Sequence, residues 1–324
     1  SRPESRPRSS ARREQVGQQA VGAALDAEAA LGAEQGEDGR EPAGDQVDVV
    51  DAGQVVAEEE GDRGGFGAGR LDPHRRPAGG DDAADDPGLD PAFKQLVLTL
   101  PAEGFVIEQL ELVDPVAVRA ALRTVRVAIA RHLQSQWRET ALSTEGEAWS
   151  PEPAAAARRA LANLALGYWA DAGDPEALEA ARERFERADN MTDRSAALGI
   201  LVNSSSPWRE TALEAFERRF RDDPLVMDKW FSLQATMHRQ PEDPPVLERV
   251  LELMNHPGFS IRNPNKVRAL VGAFCNGNPA EFHAADGSGY AFWGEMVACI
   301  DSLNPQLAAR LARAQHVEAN PADH

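Results

Sequence analysis

The sequence predicts an all-α protein, an irregular α-solenoid or superhelix of antiparallel helix pairs behind a disordered N-terminal segment. Three observations predict this fold. The composition changes abruptly at residue 89, one helix-start signal recurs five times after that point, and the apolar residues there recur with helical spacing. From residue 89 onward, the alternating β-branched runs that a sheet requires are missing from the sequence.

Residues 1–88 differ from the rest of the chain in composition. They contain no Lys, Ile, Met, Trp, Tyr or Cys, and Phe66 is their only aromatic residue. Such a segment buries too little apolar surface to offset the entropy lost on ordering. We expect it to be disordered, with one helix-prone patch at residues 18–35. An alternative is that GC-rich DNA yields this Lys-free, Arg-rich composition outside a true reading frame, which mass spectrometry of the native protein would decide.

A polar residue followed by proline marks the predicted helix starts. The side-chain oxygen of the first residue accepts a backbone N–H of the first turn, and proline fits the first helical position. The first of these helices is predicted to continue for about six turns, to Trp137. The segment Leu96–Leu100 reads equally well as a strand or as the end of a short helix. The five signals are Asp114-Pro115, Ser150-Pro151, Asp174-Pro175, Asn263-Pro264 and Asn304-Pro305.

Apolar residues follow these starts at the spacing of one helix face. Both cysteines, Cys275 and Cys299, lie inside such apolar runs, so we expect buried structural thiols. The tripeptide Met227-Asp228-Lys229 is predicted to be a packed turn with one exposed ion pair. Two predicted stripes are Val267, Leu270, Val271 and Phe274, and Phe292, Met296, Cys299 and Ile300; the predicted aromatic core residues are Trp230, Phe231 and Trp293.

Charge and hydropathy exclude several classes of partner. The formal net charge of −19 disfavours nucleic acid, because phosphate binding needs a dense basic surface. No apolar stretch approaches the roughly 20 residues of a membrane span. The basic N-terminus is not followed by the apolar region of a secretory signal. These features predict a cytoplasmic protein.

Several segments after residue 89 resemble the C-terminal helical domain of bacterial aminopeptidase N (alanyl aminopeptidase), a family of M1 zinc metallopeptidases. Their order and spacing also follow the family, which places the domain at residues 89–313 and leaves residues 314–324 as a divergent tail. The segments are LDPAFKQLVLTLP (Leu89–Pro101), ADNMTDRSAAL (Ala188–Leu198), PLVMDKWFSLQAT (Pro224–Thr236), FSIRNPNKVRALVGAFCNGNPAEFHAADGSGYAFWGEM (Phe259–Met296) and NPQLAARLARA (Asn304–Ala314).

The resemblance implies a fold and a setting. In this family the domain is a helical superhelix that closes over the catalytic domain and forms an internal chamber. Peptides pass through the chamber to a zinc ion, and the enzyme removes single residues from their N-termini. The expected partners are therefore the catalytic domain and peptide substrates.

Two departures from the family matter. The catalytic H-E-x-x-H motif needs two histidines four residues apart on one helix face. None of the seven histidines has a second one at that distance, so we expect no catalytic residue, no metal ligand and no peptide hydrolysis by this chain alone. The resemblance also implies about two more helices after Ala314, where QHVEANPADH stops following the family. Two alternatives stay open: a stand-alone helical scaffold that binds peptides or proteins, and the product of a truncated or frameshifted gene.

Lys266 and Arg268 are the candidate substrate-binding residues. They lie in the first turn and a half of a predicted helix, where the helix dipole disfavours cations. This anomaly suggests that the basic pair faces the chamber and holds the C-terminal carboxylate of a bound peptide, and the resemblance supports the idea because basic residues of this domain approach the substrate cavity in the intact enzymes. The alternative is an intramolecular salt bridge or solvated charge.

The loop FHAADGSGY contains a second group of polar residues. His283 and Asp286 would suit acid–base chemistry or a metal, but an aspartate followed by Gly287, Ser288 and Gly289 is more typical of a helix-capping loop. We expect Ser288 to be the N-cap of the next helix. The DGSG run lacks the preceding strand and the lysine of a phosphate-binding loop.

Overall fold

The structure is a computed structural model, and it describes residues 89–110 and 113–313. Those residues contain helices and connecting turns but no strand, so the all-α prediction is confirmed. The predictions made for residues 1–88 and for the tail from residue 314 lie outside the described part. The described residues divide into two compact units, one of residues 103–125 and 178–313 and one of residues 89–102 and 126–177.

The helices are numbered here in chain order. In the unit that contains residues 89–102 they are α1 (Pro91–Leu98), α4 (Gln134–Leu142) and α5 (Pro153–Asp171). Two helices span the boundary between the units, α3 (Pro115–His132) and α6 (Pro175–Arg187). The other unit contains α2 (Glu103–Ile107), α7 (Met191–Asn203), α8 (Arg209–Phe220), α9 (Pro224–Ala235), α10 (Val246–Leu253), α11 (Pro264–Val267), a π-helical segment (Arg268–Gly272), α12 (Ala273–Gly277), α13 (Pro279–Phe282), α14 (Ser288–Asp301) and α15 (Pro305–Arg313).

Four of the five predicted helix starts are confirmed. In each of the four, the side-chain oxygen accepts a backbone N–H of the first turn at 2.9–3.0 Å. The same cap begins α1 at Asp90 and α9 at Asp223, two positions outside the five predicted starts. The four confirmed caps are Asp114, Asp174, Asn263 and Asn304.

The predicted start at Ser150-Pro151 is wrong. Helix α5 begins two residues later, at Pro153, and the Ser150 hydroxyl accepts the N–H of Glu152 in a local turn. The reason is that Glu152 itself precedes a proline. The ring of Pro153 disfavours helical geometry at the residue before it, and Glu152 has an extended ψ of 135°.

Two further boundaries differ from simple sequence expectations. The predicted six-turn helix is interrupted at Leu133, where φ is −108° and ψ is 28°, and continues as α4. The ambiguous segment Leu96–Leu100 divides, because α1 includes Leu98 and the backbone becomes extended at Thr99.

An aromatic cluster forms the core of the unit that contains residues 126–177. Trp137 of α4 stacks on Tyr168 of α5 with ring centroids 4.5 Å apart, and the Arg126 guanidinium lies 4.3 Å from the centre of the Tyr168 ring. Arg126 also pairs with Asp171 at 2.5 Å. The Tyr168 hydroxyl donates to the carbonyl of Leu98 at 2.7 Å, which attaches the end of α1 to α5.

The core of the other unit contains most of the predicted apolar residues. Val267, Leu270, Val271 and Phe274 are all buried, as are Trp230 and Phe231, so these predictions are confirmed. Trp293 is only half-buried and donates to the Leu311 carbonyl at 3.2 Å. Cys275 is buried and Cys299 is half-buried. Burial raises the pKa of the Cys275 thiol to about 12, which keeps it protonated and unreactive.

The turn predicted at Met227-Asp228-Lys229 is wrong. These residues lie inside helix α9, which begins at Pro224 with Asp223 as its cap. Only Lys229 is exposed; Met227 is buried and Asp228 is partly buried. Asp228 therefore does not form the predicted exposed ion pair; it pairs with Lys266, whose side chain is buried.

Candidate functional site

The start of helix α11 holds the two candidate substrate-binding residues in a defined local structure. Asn263 caps the helix by accepting from Asn265 at 2.9 Å and from Lys266 at 3.4 Å, and Pro264 fills the first helical position. One residue after Val267 the backbone widens into the π-helical segment, closed by a bond from the Ala273 N–H to the Arg268 carbonyl.

Lys266 points into the protein. Its side chain is buried, and its ammonium donates to Asp228 Oδ1 and to the Pro224 carbonyl, each at 2.7 Å. The ammonium also lies 5.5 Å from the centre of the Phe231 ring. A cation in the first helical turn is disfavoured by the dipole, and the Asp228 carboxylate offsets that cost. The Asp223-Pro224 cap could have located Asp228 from the sequence. A helix that begins at Pro224 places Asp228 one turn after its start.

Arg268 points away from the protein. Its side chain is exposed, and its Nη1 donates to Asn265 Oδ1 at 2.7 Å, within the same turn. Residues two apart on a helix do not share a face. The structure therefore does not bring Lys266 and Arg268 together into one basic pair, and contact of either residue with substrate stays a prediction.

The loop around His283 is built as a helix-capping structure. Helix α14 begins at Ser288 with Gly287 as the N-cap, so the prediction of Ser288 as the cap is wrong by one residue. Gly287 has a φ of 71°, a conformation that glycine adopts without strain. Asp286 accepts from the Ser288 N–H at 3.0 Å. Gly289 is required by space, since a Cβ there would lie 2.0 Å from the Phe282 carbonyl oxygen.

His283 pairs with an aromatic side chain in this loop. Its Nδ1 lies 2.6 Å from the Tyr290 hydroxyl. Burial lowers the pKa of the His283 ring and raises the pKa of the Tyr290 hydroxyl, so both groups are held neutral near pH 7. A neutral His–Tyr hydrogen bond stabilises the loop without supplying a charge.

The described residues offer no metal site. Within residues 89–110 and 113–313, no group of three or more His, Cys, Asp and Glu side chains is placed to bind a metal ion. In the same ranges, no helix combines the length and apolar character that crossing a membrane requires.

Comparison with known proteins identifies the domain. Residues 78–316 match a family described as "Domain of unknown function (DUF3458_C) ARM repeats". The chain belongs to this family. ARM repeats are stacked helices of the α-solenoid class, in agreement with the predicted architecture. This ARM-repeat domain is 43% identical to aminopeptidase N of Caulobacter vibrioides and 37% identical to aminopeptidase N of Escherichia coli, over 230 residues in each case.

The matches cover most of this chain but a small part of each relative. The two aminopeptidase N alignments include 70% of this chain and 26% of each enzyme, so the chain spans about a quarter of the length of these relatives. The crystal structure of Legionella pneumophila aminopeptidase A in complex with aspartic acid also matches, with a TM-score of 0.65 and 28% identity over 72% of this chain and 28% of that one. The resemblance to the C-terminal helical domain of aminopeptidase N is thus confirmed.

Proposed function

We propose that this ARM-repeat domain is the C-terminal part of a zinc-dependent aminopeptidase N, in which it covers the catalytic domain and lines the chamber through which peptides reach the zinc ion. The main support is the alignment with aminopeptidase N of Caulobacter vibrioides, 230 residues long at 43% identity and limited to the C-terminal quarter of that enzyme. Identity at this level over 230 residues indicates the same fold, and it supports the proposal of the same setting.

The chemistry would be divided between two parts of the enzyme. A zinc ion in the catalytic part would polarise the scissile carbonyl and lower the pKa of its bound water. The described residues of this chain contain no cluster of metal ligands. Their contribution would be to enclose and position the peptide, which is what a wall of packed helices can do.

Within that role, Arg268 is a better candidate than Lys266 for binding a peptide carboxylate. The Arg268 guanidinium is exposed, and its planar fork suits bidentate binding of a carboxylate. Lys266 is already neutralised by Asp228, so a peptide would have to compete with a buried salt bridge. Lys266 would instead fix the start of the helix that carries Arg268.

A chimeric enzyme tests the proposal. Residues 89–313 of this chain replace the aligned C-terminal segment of the Caulobacter vibrioides enzyme, and the same enzyme truncated before that segment is the control. We expect the chimera to hydrolyse L-alanine p-nitroanilide and an alanine-initiated pentapeptide much faster than the truncated form. A chimera that is monomeric and helical by circular dichroism, but no more active than the truncation, would contradict the proposal and favour a stand-alone scaffold.

A further inference from the structure

A short turn after helix α10 is closed by the ring of its own first residue. The Phe259 N–H donates to the His256 carbonyl at 2.9 Å, and Pro257 occupies the second position, which suits proline in a β-turn. Inside this turn, the Gly258 N–H donates to Nδ1 of the His256 ring at 3.0 Å. We call residues His256–Phe259 the His256 turn. An atom that titrates thus completes the hydrogen bonding of a backbone turn.

The hydrogen bond from Gly258 fixes the protonation state of the His256 ring. Because Nδ1 accepts this bond, it carries no proton, and the neutral ring has its proton on Nε2. Protonation of the ring would place a second donor on Nδ1, directed at the Gly258 N–H. Two donors cannot form one hydrogen bond, so the charged ring is unable to close the turn.

The His256 ring is packed closely against its neighbours. A Cβ built on Gly258 would lie 3.1 Å from His256 Nδ1. The centre of the ring lies 5.1 Å from that of Trp230 and 5.5 Å from that of Phe231. Phe259, at the end of the turn, is buried with its ring 6.2 Å from Phe231. Loss of the Gly258 bond therefore requires the ring or the turn to move.

A new partner for the charged ring is available on helix α8. His256 Nε2 lies 3.9 Å from Oε1 of Glu217, too far for a hydrogen bond but within reach of an ion pair. Arg221 competes for this carboxylate at 3.3 Å. Lys266 pairs with Asp228 at 2.7 Å, and its charge also acts against a second cation at His256. The Glu217 carboxylate favours the charged ring, whereas Arg221 and Lys266 disfavour it.

We propose that His256 is an acid-sensitive switch of the His256 turn: the neutral ring accepts the Gly258 N–H and closes the turn, and the charged ring releases Gly258 and pairs with Glu217. Burial lowers the pKa of the His256 ring from its usual 6.5, so the exchange of partners occurs in mild acid. The residues that follow the turn lead to Asn263, the cap of helix α11. Opening of the turn would loosen the connection between α10 and α11.

Amide hydrogen exchange tests the switch in the full 324-residue chain. Nuclear magnetic resonance follows the Gly258 amide and the ring nitrogens of His256 between pH 7.5 and pH 5. We expect the Gly258 protection factor, which is corrected for the intrinsic pH dependence of exchange, to fall about tenfold on loss of its hydrogen bond. The midpoint of that fall should coincide with the titration of the His256 ring, while amides inside α9 and α14 stay protected.

Two replacements of His256 separate its acceptor from its charge. An asparagine side chain can accept the N–H two residues further on and does not titrate. His256→Asn should therefore keep Gly258 protected at both ends of the pH range. His256→Ala has no acceptor, and its Gly258 amide should be poorly protected at every pH.

Replacements of the neighbouring charges should move the midpoint in opposite directions. Glu217→Gln removes the partner of the charged ring and should lower the midpoint by about 0.5 pH unit, whereas Arg221→Gln should raise it by about the same amount. His283 is a second histidine whose pKa burial lowers, so His283→Gln is the control and should leave the midpoint unchanged.

Three results would overturn the proposal. Gly258 protection that is the same at pH 7.5 and pH 5 in the parent would show that the turn does not respond to acid. A loss of protection in His256→Asn equal to that of the parent would assign the titrating group to another residue. A loss that includes the amides inside α9 and α14 at the same midpoint would show global unfolding and not a local switch.

Discussion

Among single residues, Lys266 shows most clearly how sequence and structure diverge. From the sequence it is a cation where the helix dipole disfavours one, and that anomaly suggested a ligand site. In the structure its partner is Asp228, 38 residues away along the chain, and the Pro224 carbonyl. A contact between two helices cannot be read from local spacing, so the sequence could predict the anomaly but not the residue that resolves it.

Replacing Lys266 should therefore affect stability. Lys266→Met leaves the Asp228 carboxylate partly buried and unpaired, and we expect a loss of about 3 kcal/mol in the free energy of unfolding, measured by urea denaturation. Lys266→Met combined with Asp228→Leu should recover much of that loss, since no charge is then left buried. The exposed Arg268→Ala is the control, within about 0.5 kcal/mol of the parent. Equal stability of Lys266→Met and the parent would show that the salt bridge contributes nothing.

Arg268 should affect peptide binding. In the chimeric enzyme, we expect Arg268→Ala to raise KM for a free-carboxylate pentapeptide about tenfold, which corresponds to the loss of one charge-assisted contact. The KM for L-alanine p-nitroanilide, which has no carboxylate, should not change. Arg218→Ala, another exposed arginine, is the control. The same KM increase for both substrates would argue against a carboxylate contact.

Protonation of His256 makes the stability of the core depend on pH. Its half-buried ring lies 5.1 Å from the Trp230 ring and 5.5 Å from the Phe231 ring, and its Nδ1 accepts the Gly258 N–H. Burial lowers the pKa of the His256 ring, an effect that the Glu217 carboxylate opposes and that Arg221 and Lys266 increase. The neutral ring is therefore the form that the folded protein prefers.

The consequence is a stability that falls in mild acid. Because the His256 pKa is lower in the folded chain than its usual 6.5, the unfolded chain binds the proton more readily. The contribution of neutral His256 to the free energy of unfolding is fully present above about pH 6.5. It is lost as the pH falls from there towards the pKa of His256 in the folded chain. Urea denaturation of His256→Gln between pH 7 and pH 5 should show a shallower loss, with some slope left because burial also lowers the pKa of His283. An unchanged slope in His256→Gln would refute the assignment.

At the scale of helices, the polar-residue-plus-proline signal was the most informative sequence feature. It predicts four starts correctly because capping depends only on residues within one turn. It fails at Ser150 because Pro153, and not Pro151, begins the helix. Pro153 disfavours helical geometry at Glu152, which is extended. Local rules predict that a helix is present, whereas a break such as the one at Leu133 depends on packing against other parts of the protein.

Replacing a capping residue should lower the free energy of unfolding by an amount that depends on the other contacts of that residue. Asp174 caps α6 and also accepts from Trp169 Nε1 at 2.8 Å and from Gln134 Nε2 at 3.1 Å. Asp223 caps α9 and accepts from the first turn of that helix. We expect Asp174→Ala to lower the free energy of unfolding by about 2–3 kcal/mol and Asp223→Ala by about 1 kcal/mol, measured by urea denaturation. Equal losses in the two variants would mean that the hydrogen bonds from Trp169 and Gln134 to Asp174 add nothing to the free energy of unfolding.

At the scale of the whole molecule, the sequence was sufficient for the fold class and the family. Composition, caps and helical spacing predicted helices, and the quoted motifs identified aminopeptidase N as the relative. The sequence was least informative about which apolar residues stay exposed. The spacing of Phe93, Leu96 and Val97 indicates a helix face but does not say whether this chain itself covers it.

The division of labour in the proposed enzyme predicts the behaviour of the isolated chain. No histidine in the sequence has a second histidine four residues away, and the described residues contain no ligand cluster. After equimolar zinc and dialysis, we expect well below one zinc per chain by mass spectrometry and no release of p-nitroaniline from the alanine substrate. The chimeric enzyme is the positive control for both measurements. One tightly held zinc ion with turnover by the isolated chain would contradict the division.

The π-helical segment has a consequence for the residues on either side of it. A π turn holds one more residue than an α turn, so it acts as a single-residue insertion. Deleting one residue between Arg268 and Gly272 would allow an uninterrupted α-helix in which the residues on either side keep their relative angular positions. Lys266 would then still face Asp228. The wide turn thus lets this helix hold one additional residue without rotating its capped beginning relative to its apolar end.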